Sequence, residues 1–184
     1  MKLGGNFFIF SFPQRVWVIA IALSLFIFSC QSPTPTGKNA TIRRVISGNS
    51  LEVLISDRNP PQAQTVRLRG VDAPQLYQEP WGKAAQDYLA TRLPPQTAVL
   101  LEIDASQTDP YNRLWAYVWQ DSELIDEAIL KEGWGLTPAI APHSPYQTRL
   151  DRAQNYARIL GYGIWNPQQP LRQTPSQAVK PQSK

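Results

Sequence analysis

The sequence holds one cysteine, Cys30, and one histidine, His143, in 184 residues. A single cysteine excludes an internal disulfide, so a domain folded from this chain depends on its core. The lone histidine lies in the Pro-flanked loop "APHSP", just ahead of a helix start, and is expected in solvent rather than in a reaction. No acidic residue precedes Glu52. A membrane-spanning helix needs about 20 apolar residues, and the run "VWVIAIALSLFIF", Val16 to Phe28, has 13. No internal repeat is visible. A continuous basic field is absent too, although the formal charge is +4. Lys2, Arg15, Arg172, Lys180 and Lys184 lie in the chain ends, leaving 13 basic residues against 14 acids between Lys38 and Asn166. That near-neutral stretch excludes tight, non-specific binding to a polyanion, and any phosphate recognition rests on a few placed arginines.

What is present divides the chain. Residues 1–30 read as an export signal: Lys2 and Arg15 supply positive charge and Val16 to Phe28 the apolar stretch. Cys30 follows directly in "IFSC", which resembles a bacterial lipobox whose cysteine is lipidated, with Phe28 bulkier than that pattern prefers. Residues 31–39 form a Pro/Ser/Thr/Gly spacer suited to holding a domain off a membrane. The folded domain is expected over 40–167. Residues 168–184, rich in proline and glutamine and without an acid, read as a disordered tail.

Within the domain, five strands are expected. "TIRRVIS" and "SLEVLIS" flank Gly48-Asn49, a hairpin turn signal. "TVRLRGV" alternates, with Val66 and Leu68 on one face and Arg67 and Arg69 on the other. "AVLLEID" and "RLWAYVWQ" complete the set, and the alternating Trp115, Tyr117 and Trp119 are expected in the barrel core or under a helix. Three helices follow from helical spacing and end signals. "WGKAAQDYLATRL" is stopped by Pro94. "SELIDEAILKEGWG" has Ser122 as N-cap and stops at Gly133. "SPYQTRLDRAQNYARILGYG" has Ser144 as N-cap and Pro145 at the first helical position. Its stripe is Tyr146, Leu150, Ala153, Ala157 and Leu160, and Gly161 is its stop.

The blocks "VRLRGVDAP", "DPYNRLWAYVW", "LIDEAILKEGWG" and "ARILGYGIWNP" resemble, in order and spacing, those of the staphylococcal nuclease-like (thermonuclease) family over Ala40 to Pro167. The resemblance implies an α+β, mainly β fold: a five-stranded OB-type barrel with three helices, whose face meets nucleic acids and other ligands. It also implies calcium-assisted cleavage of DNA or RNA phosphodiester bonds. Arg67 matches the first catalytic arginine, Arg113 the second and Asp72 a metal-binding aspartate. The arginines suit the chemistry, since phosphoryl transfer puts negative charge on the phosphate oxygens and a guanidinium grips two of them at once.

Three positions depart from the family pattern. Gln75 stands where a general-base glutamate is expected, Asn49 where an aspartate is expected, and Ala73 where a threonine follows the metal aspartate, its carbonyl still available. Asp72, Asn49, Gln75, the Ala73 carbonyl and water would make an all-oxygen site that holds calcium loosely. An amide cannot take a proton from water, although it can orient one. Glu79, four residues on, is the candidate replacement base, and an acid at a helix start is favoured by the dipole in any case. The expectation is a slow, calcium-assisted nuclease, exported, membrane-anchored through Cys30 and monomeric. The alternative is a catalytically inactive module on the same barrel that binds nucleic acid or a protein partner at the cell envelope.

Overall fold

The computed structural model describes residues 35–57, 60–109, 111–138 and 144–178, all within one unit, Pro35–Lys184. Cys30, the export segment and His143 lie outside the described residues, with the expectations that rest on them. The strands are β1 (Lys38–Ser47), β2 (Ser50–Ile55), β3 (Gln62–Leu68), β4 (Ala98–Thr108), β5 (Leu114–Gln120) and the two-residue β6 (Glu123–Leu124). They run in the order β3-β2-β1-β4-β5-β6, and an additional parallel β3–β5 pairing closes the first five into a barrel. That closure sets Val66 opposite Leu114, Arg67 opposite Trp115 and Leu68 opposite Ala116. The Arg69 N–H extends it by donating to the Ala116 carbonyl at 3.0 Å.

Local sequence explains each strand. The β1–β2 hairpin turns on Gly48-Asn49 with Ser47 facing Ser50. In β3 the alternation puts Val66 and Leu68 in the core and leaves Arg67 at the surface side. Ile42, Leu51, Val53, Leu101 and Val118 join them in a core with no exposed surface. Tyr117 and Trp119 are buried as expected, edge-on to Tyr146 at 4.9 and 5.4 Å between ring centroids.

Three helices cover the barrel: α1 (Trp81–Arg92), α2 (Ile125–Lys131) and α3 (Gln147–Leu160). Gly161 ends α3 in the left-handed region at φ 71°, a conformation that glycine adopts without strain. Two expected helix starts move. Ser122 is not an N-cap, because Asp121 adopts φ 54° and the chain folds back so that Glu123 and Leu124 pair with Gln120 and Trp119; α2 starts after them. Ser144 is not the cap residue of α3, whose first residue is Gln147. Its hydroxyl instead accepts from the Tyr117 hydroxyl and the Tyr146 N–H. Leu160, placed on the buried stripe of α3, is 46% exposed, while Leu150, Ala153 and Ala157 are buried.

β1 starts at Lys38, inside the stretch read as spacer, since Lys38 and Asn39 pair with Leu101 and Leu100 of β4. Residues 168–178, part of the segment expected to lack structure, return to the body: the Leu171 N–H donates to the Ile164 carbonyl at 2.9 Å.

Among the described residues, one ionisable side chain sits wholly inside this fold. Asp126, in the first turn of α2, is 0% exposed, and its carboxylate accepts from the Gly70 N–H at 2.8 Å and the Val118 N–H at 3.2 Å. It thereby ties α2 to the end of β3 and to β5. Burial pushes its pKa up to about 7, against the two backbone donors, which favour the ion. The folded state therefore keeps a proton that the unfolded chain loses above about pH 4. Stability contributed by this group is full below that pH and declines as pH rises towards 7. Urea unfolding of the natural chain and Asp126→Asn at pH 5 and pH 7 should show a steeper decline in the natural chain, by the equivalent of one titrating carboxyl.

Candidate functional site

The β3–β5 closure opens on a cleft of about 370 Å³ lined by Arg67, Arg69, Asp72, Gln75, Trp115 and Ser176, among others. Arg67 is the best-held of these. Its guanidinium Nη2 bonds the Asp72 carboxylate at 3.1 Å and its Nη1 the Asn49 amide oxygen at 3.5 Å. Asp72 is itself fixed by the segment after α2, because its backbone exchanges two hydrogen bonds with Leu136, at 2.7 and 3.0 Å. Gly135 permits that approach: a Cβ there would meet Val71 Cγ1 at 2.6 Å.

Arg113 comes from the turn opening β5. Asp109 shapes that turn: its carboxylate accepts from the Tyr111 N–H, the Arg113 N–H and the Arg113 Nε, the last at 2.6 Å. Asn112 takes the left-handed conformation, φ 58°, which asparagine tolerates. Burial raises the Asp109 carboxyl, but those donors outweigh it and hold the pKa below its usual value. Arg113 is not a cleft-lining residue, yet its charge reaches Arg67. Burial first, then Arg113, lowers the Arg67 pKa, against the pull of Asp72 and Asp109. Burial likewise raises Asp72 despite its ion pair. Arg67 and Arg113 thus repel one another, each beside a carboxylate, and an entering anion would relieve that repulsion.

The two amides that replace expected carboxylates have different environments. Asn49 is 4% exposed and fully engaged. Its Nδ2 donates to the Val71 carbonyl at 3.1 Å, and its Oδ1 accepts from Ser47 and Ser50 hydroxyls as well as Arg67. The carbonyl partner on one side and the donors on the other fix the amide's orientation. Asn49 therefore joins the β1–β2 turn to the Val71-Asp72 loop. The Gln75 side chain lines the cleft and makes no hydrogen bond among the described residues, while its N–H donates to the Gln78 Oε1 at 2.9 Å. Ala73 is buried. Glu79 is exposed on the turn before α1 and is not one of the cleft-lining residues.

These donors do not make a preformed calcium site. Calcium takes six to eight oxygens, several of them charged. Among the described residues Asp72 is the one carboxylate in the cleft lining and it is paired with Arg67, and the Asn49 oxygen already takes three donors. No group of three or more His, Cys, Asp or Glu suited to a metal occurs among the described residues.

Trp115, expected in the barrel core or under a helix, instead flanks the cleft beside Arg67, and its Nε1 is buried without a hydrogen-bond partner among the described residues. Only the register across the closure separates it from Tyr117 and Trp119. Arg69 was legible from the strand alternation, two residues from Arg67. Pro175 and Ser176 come from the tail, and no sequence signal placed them here.

Known proteins share this arrangement of blocks. A family model described as "Staphylococcal nuclease homologue" matches residues 65–167. The chain is 32% identical over 166 residues to a protein named Thermonuclease from Staphylococcus hyicus, covering 81% of this chain and 95% of that protein. It is 31% identical over 164 residues to Thermonuclease from Staphylococcus intermedius, covering 82% and 95%. Endonuclease YhcR of Bacillus subtilis (strain 168) is 29% identical over 149 residues, covering 73% of this chain and 12% of that longer protein.

The contrast between the two amides is measurable. Asn49→Ala strands a buried carbonyl and should cost about 1–3 kcal/mol in urea unfolding. Gln75→Ala should stay within about 0.5 kcal/mol.

Proposed function

The chain belongs to the staphylococcal nuclease homologue family, and from that premise we propose that it hydrolyses nucleic-acid phosphodiester bonds in the Arg67 cleft. The observation that carries this reading is Arg67, locked by Asp72 and Asn49 at the cleft, with the charge of Arg113 acting on it. In the reaction a water oxygen bonds to phosphorus, one phosphorus–oxygen ester bond breaks, and the departing oxygen ends as a hydroxyl. Arg67 and Arg113 stabilise charge on the non-bridging oxygens, the role for which fixed donors are most effective. Asp72 holds the Arg67 fork in place. Gln75, its side chain uncommitted, orients the water without accepting its proton, and the enzyme is slow for that reason. Glu79, exposed outside the cleft lining, is a weaker candidate for base than the sequence suggested.

Calcium enters this reading only as an ion recruited together with the substrate, because Asp72 alone offers it a carboxylate here. When bound it adds positive charge beside the phosphate. DNA and RNA are both within the substrate class, and the protein acts as a monomer. The same reading puts the enzyme outside the cytoplasm, tethered through Cys30. The basic residues, the apolar run and the cysteine directly after it support that placement. Cys30→Ser should then abolish lipid incorporation and move the protein from the membrane to the soluble fraction.

Cleavage of single-stranded DNA and RNA, run with millimolar calcium and with chelator, tests the chemistry. The natural chain should cut slowly, and more slowly in chelator. Arg67→Ala should lose about 10²–10³-fold, and Gln75→Glu should gain about 10²–10⁴-fold. Cleavage untouched by Arg67→Ala, or absent in both the natural chain and Gln75→Glu, would sink the proposal.

A further inference from the structure

The cleft has a wall from outside the matched family segment. Pro175 and Ser176 line it together with Arg67 and Asp72, eight and nine residues beyond the last position of the family match, 167. The segment that carries them is fastened at both sides. On one side the Leu171 N–H bonds the Ile164 carbonyl at 2.9 Å, and Leu171 shares an apolar groove with Ile164 and Trp165. On the other, the Gln78 Nε2 donates to the Gln173 carbonyl and the Tyr77 hydroxyl to the Ala178 carbonyl, each at 2.9 Å. Between these points the strap is folded on itself, with the Gln177 and Ala178 N–H groups both donating to the Thr174 carbonyl. Gln78 also accepts the Gln75 N–H at 2.9 Å, so one side chain couples the strap to the residue proposed to orient water.

The strap's composition decides what it does there. Residues 168–178 contain one charged group, Arg172, and no acid. A segment that blocked the site by imitating a phosphate would carry a carboxylate against the arginines. This one offers proline rings, a serine hydroxyl and amides, which can lie beside a phosphate without repelling it. A cleft of about 370 Å³ is at the small end of ligand pockets, enough for a short piece of a strand. The interior of a long strand must leave the cleft on both sides and meets the strap.

We infer that residues 173–178 act as a specificity-determining wall that favours short strands and strand ends over the interior of long strands. The inference rests on the reading of the cleft as a phosphodiester site. The bonds holding the strap to Tyr77 and Gln78 are exposed, so a long strand displaces it at a modest penalty, about tenfold in affinity.

Binding, read in chelator and on a timescale short of the slow hydrolysis that remains there, separates this inference from the catalytic one. The probes are a circular single-stranded DNA, which has no ends, and a dinucleotide. The full chain is compared with a chain ending at Pro167 and with Tyr77→Phe, which removes one strap bond without changing charge. Ending at Pro167 should lower Kd for the circle about tenfold and leave the dinucleotide within about twofold; Tyr77→Phe should lower the circle's Kd about threefold. Truncation also removes Arg172, Lys180 and Lys184, which by charge alone would weaken binding, so tightening would come from the open cleft. Equal change on both probes, or no tightening for the circle in either variant, would overturn the inference. Loss of cleavage in the catalytic assay would not bear on this result.

Discussion

Everything at the site depends on the parallel pairing that closes the barrel between β3 and β5. Parallel strands are distant in sequence and need a long crossover, here supplied by α1 and β4. Closing them puts Arg67 beside Trp115 and brings the turn of Arg113 next to the middle of β3, where the Gln64 side chain donates to the Asn112 carbonyl. The junction is reinforced from below by Asp126, whose buried carboxylate takes one backbone N–H from each of the two connected segments. A carboxyl with no exposed surface is a costly way to tie elements together once it loses its proton. It trades stability at neutral pH for a fixed relation between the end of β3 and β5.

The same trade appears one layer out. Arg67 is largely removed from water and is acted on by a second guanidinium, Arg113, an arrangement that costs free energy until an anion arrives. Asp72 and Asn49 hold its fork from two directions, so the side chain is already organised before any phosphate binds. Preorganisation of this kind separates a phosphate site from a surface ion pair, where both partners remain mobile and the net gain is small. The two amides then take on different duties. Asn49 has become part of the scaffold, tying a hairpin turn to the loop of Asp72, while Gln75 alone keeps an open side chain in the cleft.

Family membership and chain-specific features also separate along the sequence. The matched segment, residues 65–167, supplies the closure, both arginines and Asp72. The residues that narrow the cleft, Pro175 and Ser176, follow that segment, and their anchors lie in the loop just after Gln75. The cleft is thus lined both by residues of the matched segment and by residues that follow it.

Much of this was legible in one dimension. Alternation along β3 placed Arg67 and Arg69 on the face away from Val66 and Leu68, Gly48-Asn49 marked the hairpin, and Gly161 marked the end of α3. The block order pointed to the barrel, to Arg113 and Asp72, and to the loss of two carboxylates. These signals are local, because side-chain direction repeats every two residues in a strand and every 3.6 in a helix. What the tertiary structure alone decided is where separate segments meet. It put Trp115 at the cleft while Tyr117 and Trp119 went inside, turned the Asn49 amide into a clamp, left Glu79 outside the cleft lining and laid the tail across the opening. Those outcomes depend on register across a long-range closure and on competition among buried donors and acceptors for partners. Neither is written in the spacing of residues along a chain.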